Sequence, residues 1–261
     1  MNQPDHFFLL PKRQFVRKKR RDIKAVCLIG FDMYETIQDA MKALHSRKEH
    51  RRGIVSPLSK NISYKPTFEA DYYHETTIYR FIELIESTYN LYKSNLLVGS
   101  VVTARAAQET VAVLWFINSK LEHLAKTKDL AHFTEIMKRL ISGWSNEEEF
   151  PEKINVFKCI DSVDKVMEGK FRRHYETLCE YAHPNYSGTF GAYAKPNHET
   201  LDVELGEYPR TKEILETHIE STIIICVTLF DSIQEKYEDA LNTALTVCHE
   251  LHDSGKLKEQ L

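Results

Sequence analysis

Apolar residues return at steps of three and four along most of this chain, the spacing that places them on one face of an α-helix. Val26, Ile29, Met33, Ile37, Ala40 and Leu44 form the first such stripe. Ile78, Phe81, Ile82, Ile85, Tyr89 and Tyr92 mark a second helix from about Ala70 to Lys93. A third runs from Leu96 to about Ala125, with Leu97, Val101, Ala104, Val111, Leu114, Trp115 and Leu121 on its core face. It is apolar almost all round as far as Ile117, which predicts the central, most enclosed helix. Shorter helical patterns cover Leu130–Ile141 and about Ile160–Tyr181, the latter stopped by Pro184, which lacks an amide donor.

The last pattern is the longest. Ile219, Ile223, Cys226, Phe230, Ile233, Tyr237, Ala240, Ala244, Cys248 and Leu251 make a heptad-like seam. A helix from Thr211 to His252 would span roughly 60 Å at 1.5 Å per residue. Either it is a bundle element, as one helix or as two broken near Gln234, or its far end packs against a second copy. Period-two alternation appears only around residues 188–206, where Phe190, Ala192 and Ala194, then Leu201, Val203 and Leu205, predict a short β-hairpin. The stretch from Ser46 to Pro66, charged and then rich in Ser, Pro and Asn, reads as a loop. The expected fold class is therefore mainly α: a helical bundle with one hairpin and a long C-terminal helix. Residues 1–21 read as a basic arm and residues 22–261 as a single helical domain.

Charge changes this picture at one end. The net charge of -3 conceals fourteen Lys and Arg against six Asp and Glu in the first sixty residues, with an acidic remainder. A basic front on an acidic body can meet nucleic acid, anionic lipid or the protein's own acidic helices. Lys12, Arg13, Arg17, Lys18, Lys19, Arg20, Arg21 and Lys24 enclose Phe15 in a run able to neutralise phosphates and stack on a base. Arg47, Lys48, Arg51 and Arg52, with His45 and His50, form a second cluster.

The five cysteines carry no CxxC pair and predict reduced thiols in a cytoplasmic protein. Phe7–Leu10 is too short for a signal-peptide core. The strongest internal run, Ile223–Phe230, falls well short of the roughly 18 residues of a membrane span. No membrane association, metal or cofactor is expected. His249 and His252 beside Cys248, or Cys179 with His183, give no tetrahedral set.

Polar groups where apolar ones are expected supply the candidate chemistry. Arg105 and Glu109 lie four apart on one face of the third helix, so they can pair. They are either an internal ion pair or a cleft-lining pair whose guanidinium holds phosphate or carboxylate in a fork. Tyr181 and His183 fall in the last turn before Pro184, with Asn185 beyond it. There His183 either caps helix carbonyls or serves as an acid or base near neutral pH. Tyr181 and Asn185 are candidate supports. In Tyr186-Ser187-Gly188-Thr189-Phe190-Gly191 the glycines permit close backbone approach, and the segment is not a phosphate-binding P-loop.

A central helix with Arg-x3-Glu, then a helix ending Leu178-Cys179-Glu180-Tyr181-Ala182-His183-Pro184-Asn185, is similar to bacterial helical proteins with a Leu-Ser/Cys-Glu-x-x-His-Pro ending. More distantly it resembles the HEPN superfamily of nucleotide-binding helical bundles. Active HEPN ribonucleases carry an Arg separated from the His by four to six residues. The matching positions here hold Glu176, Thr177 and Leu178. The resemblance implies an RNA- or protein-binding module in bacterial stress or phage defence, often paired with a second copy. The alternatives are a metal-independent ribonuclease using Arg105, Glu109 and His183, and an assembly protein acting through its C-terminal helix. Homodimerisation, if it occurs, is expected through residues 219–251.

Overall fold

A computed structural model describes residues 33–57, 64–144 and 149–256. Several helices start where the sequence satisfies or removes their first free amides. Thr36 accepts the Asp39 amide at 3.1 Å and opens α1, Ile37–Glu49. Pro66 sits in the first turn of α2, Lys65–Lys93, where a missing amide costs nothing. Asn95, with φ 59°, turns the chain into α3, Leu97–Thr127, whose first amide is capped by the Tyr208 hydroxyl at 2.9 Å. Asp129 caps α4, Leu130–Ser142, and Asn155 caps α5, Val156–Met167. Helix α6 is Lys170–Ala182. A π-helical turn, Tyr186–Phe190, leads into the short α7, Gly191–Tyr193. Strands β1, Ala194–Pro196, and β2, Val203–Leu205, follow, and α8, Lys212–Asp253, completes the described chain.

Helix α3 is the axis of the molecule, packed by α2, α4, α5, α6 and α8. By length and apolarity it could cross a membrane, but more than half of its most apolar window is buried inside the protein. One core gathers Phe81, Leu97, Val101, Leu114, Phe171, Tyr175 and Phe230 around the first half of α8. A second gathers Leu121, Leu124, Phe133, Tyr237, Leu241 and Cys248 around its second half. The apolar stripe Ile219 to Leu251 is buried throughout against the chain's own helices. The surface that the sequence offers to a second copy is thus already covered within one chain.

Two expectations meet a different structure, and one open alternative is decided. The helical stretch Ile160–Tyr181 is two helices. Glu168 and Gly169 take left-handed φ values of 54° and 79°, and the chain reverses between α5 and α6. The hairpin is shorter than 188–206. Residues 186–193 are helical, and only Ala194–Pro196 pairs antiparallel with Val203–Leu205, Ala194 opposite Leu205. The C-terminal seam is one unbroken helix of 42 residues, with no break at Gln234. The early part of the first stripe, Val26 and Ile29, lies outside the described residues.

Candidate functional site

Arg105 and Glu109 do meet, and they meet a third group. The Arg105 guanidinium lies 3.2 Å from Glu109 Oε1, and its Nη2 donates to the Tyr175 hydroxyl at 3.3 Å. Tyr175 in turn donates to Glu109 Oε1 at 2.7 Å. These three bonds close a ring between α3 and α6. Tyr175 is buried, and its phenol is held well above its ordinary pKa, first by that burial and then by its bond to Glu109. Below it, Gln108 Nε2 donates to the Phe171 carbonyl at 3.0 Å, locking α6 to α3. Arg105 and Glu109 each keep about a third of their side chains exposed, 32% and 27%. The ring therefore opens on solvent along one edge.

His183 stands apart. It occupies the cap of α6 in extended backbone, its amide donating to the Cys179 carbonyl at 3.1 Å, with the residue exposed. No hydrogen bond or ion pair joins its imidazole to Arg105 or Glu109. Tyr175 and His183 are eight positions apart, roughly 12 Å along a helix axis at 1.5 Å per residue. Tyr181 is half-buried, and burial raises its phenol pKa. Asn185 caps the following turn: its Oδ1 accepts the Gly188 amide at 3.0 Å and its Nδ2 donates to Glu180 at 2.9 Å. Gly188 is there for contact. A Cβ at that position would lie 2.1 Å from the His183 carbonyl oxygen.

The second basic cluster is turned inward. Arg47 Nε donates to Asp231 at 2.7 Å, and Lys48 reaches Glu86 at 2.7 Å. Arg52 is engaged most fully. Its two Nη atoms donate to Asp71 at 2.9 and 2.8 Å, its Nε to Glu75 at 3.0 Å and its backbone amide to the same carboxylate at 2.9 Å. Asp71 is 1% exposed, so this is a buried carboxylate closed by a bidentate arginine. Among the described residues Arg51 alone of the four basic side chains has no carboxylate partner, and it lies over the Tyr79 ring, 4.2 Å from its centroid. The first basic run, Lys12, Arg13, Arg17, Lys18, Lys19, Arg20, Arg21 and Lys24, lies outside the described residues.

Reading the sequence misses two polar groups that the fold assembles. His74 and Tyr237 stack ring on ring, centroids 3.5 Å apart, beside Asp71 and Glu75. On the opposite side His174 contacts Thr222 at 2.9 Å. Thr222 donates its only hydroxyl proton to the His218 carbonyl, so His174 must donate from Nε2. Burial first, and His218 second, push the His174 imidazole down to about 3. The one sequence signal for the first group is Asp71 and Glu75, four apart on an otherwise core-facing stripe.

Among the described residues no set of His, Cys, Asp and Glu is arranged to hold a metal ion. Cys159, Cys179, Cys226 and Cys248 are free thiols, with Cys159 pushed up to about 12 by burial. Compared with protein-family models, curated proteins and solved structures, the chain has no match.

Proposed function

We propose that this protein is a HEPN-like helical module that binds RNA through its basic arm and does not cleave it. The observation that carries the binding half is charge placement. Eight of the thirteen positions from Lys12 to Lys24 are cationic, with Asp22 the only acid among them. In the body, by contrast, Arg47, Lys48 and Arg52 are neutralised by Asp231, Glu86, Asp71 and Glu75. The arm is therefore the densest run of positive charge in the sequence, the kind that meets a row of backbone phosphates. Support for the non-catalytic half comes from the ring. Arg105 is engaged by Tyr175 and Glu109, and His183 sits about two turns farther along. An acid–base pair acting on one phosphate needs both groups within hydrogen-bond reach of it.

Fluorescence anisotropy with a labelled single-stranded RNA tests the arm. Each phosphate neutralised on a single strand adds about 0.7 to the slope of log affinity against log salt. Removing residues 1–24 is expected to weaken binding at least tenfold at low salt and to reduce that slope by several units. Binding and slope unchanged by the deletion would overturn the proposal. RNA cleavage by clean wild-type protein, lost in His183→Ala, would replace it with the ribonuclease reading.

A further inference from the structure

We propose that the cavity enclosed by the end of α1, the middle of α2 and α8 binds a small phosphomonoester, a function separate from RNA contact by the arm. The cavity measures about 220 Å³. At about 30 Å³ for each water-sized group, it can hold a phosphate with a short organic substituent. Ile78 and Phe230 give it an apolar wall for that substituent.

Hydrogen-bonding capacity decides the ligand class. Several carboxylates at and behind the cavity wall already accept arginine bonds. Asp71 and Glu75 are filled by Arg52. Asp231, behind Arg47, takes both that arginine and the Tyr34 hydroxyl. Glu238, on the α8 rim, also lines the cavity. The donors are not exhausted. Arg47 gives only its Nε, which leaves both Nη groups open. Arg51 gives its Nε to the Lys48 carbonyl at 3.1 Å and rests its flat face on Tyr79, so its Nη groups are also open. His50 donates Nδ1 to the Ser46 carbonyl at 2.7 Å, so Nε2 of its neutral ring is an acceptor and adds no donor.

All three residues line the cavity, Arg47 in the last turn of α1 and His50 and Arg51 just beyond it. Tyr79 holds the Arg51 fork in place before any ligand arrives. Two guanidinium ends offer more N–H groups than the two oxygens of a carboxylate use. They suit the three terminal oxygens and double charge of a phosphomonoester.

Calorimetric titration of phenyl phosphate into the full chain tests this, with benzoate as the carboxylate control. The expected result is saturable binding of phenyl phosphate, at least tenfold tighter than benzoate and unaffected by deleting residues 1–24. Arg51→Ala should weaken it at least tenfold with little change in the thermal midpoint, because Arg51 pairs with no carboxylate among the described residues. Arg51→Lys, which keeps the charge and loses the fork, should fall between; if Arg51→Ala does not fold, Arg51→Lys carries the test. A 5′-phosphorylated RNA trinucleotide and its 5′-hydroxyl twin distinguish the source. Preference for the phosphorylated strand points to an RNA end, and equal binding of the two points to a free metabolite. No saturable binding of phenyl phosphate or of the phosphorylated strand overturns the proposal. So does benzoate binding as tightly, or binding that the arginine variants leave unchanged.

Discussion

Arg52 and His174 show how much rests on single polar side chains in a bundle. Asp71 and Glu75 sit on a core-facing stripe of α2, and Arg52 supplies the hydrogen bonds that make their burial tolerable. Removing one partner of a buried pair costs about 3–5 kcal/mol, because an uncompensated charge stays behind. Arg52→Ala is thus expected to lower the urea midpoint sharply, with Arg52→Ala/Asp71→Asn recovering part of the loss.

His174 adds a pH dependence. Its folded pKa of about 3 lies below the ordinary 6.5, so the unfolded chain binds the extra proton between those values. Its contribution is complete above pH 6.5 and is lost as pH falls toward 3, at up to about 1.4 kcal/mol per pH unit. The residue keeps some exposed surface, which makes that slope an upper bound. Urea melts at pH 7 and pH 5 should show the loss, and His174→Gln should flatten it. A wild-type stability that does not fall between these two values would refute the assignment.

Half of the Arg105 ring was legible in the sequence. Arg105 and Glu109 are four apart on an apolar helix, and that spacing alone brings them together. Tyr175 closes the ring from 66 positions beyond Glu109, and no local pattern can announce such a partner.

At the scale of elements, periodicity located α2, α3, α4 and α8 to within a few residues, because each keeps one continuous buried stripe. It failed where two helices share the same period across a turn. Val163, Met167, Phe171, Tyr175 and Leu178 continue the three-and-four rhythm through the α5–α6 break, and all are buried. The turn is made instead by backbone conformation at Glu168 and Gly169. Open space surrounds a Cβ at Gly169, so only its φ of 79° resists a side chain. Gly169→Ala is expected to cost about 1–2 kcal/mol, the penalty of a left-handed L-residue. A cost near zero in equilibrium unfolding would show that the turn adapts. The predicted hairpin was too long for a related reason. Phe190, Ala192 and Ala194 alternate, but Asn185 caps the segment before them and starts it on a helical path.

For the molecule as a whole, α3 and α8 tie two apolar cores into one body. The C-terminal stripe looked like a surface for a second copy, because a heptad pattern does not say whose helices cover it. Tyr237 stacks on His74 inside the protein and is 4% exposed. Tyr237→Glu would place a carboxylate beside Asp71 and Glu75. It is therefore expected to abolish the cooperative unfolding transition rather than release a folded monomer from a dimer. Circular dichroism of the variant decides this, and native helicity with a sharp melt would contradict it.

Because α8 is gripped along its length by helices from earlier in the chain, its covalent link through the hairpin is not what holds it in place. The loop from Asn197 to Asp202 is exposed and remote from both cores. A chain cut there, made as two pieces ending at His198 and beginning at Glu199, should reassemble when the pieces are co-expressed. The pair should elute as one particle of native size. The long helix would then behave as a detachable spine, and its absence would leave the larger piece without a core on which to close.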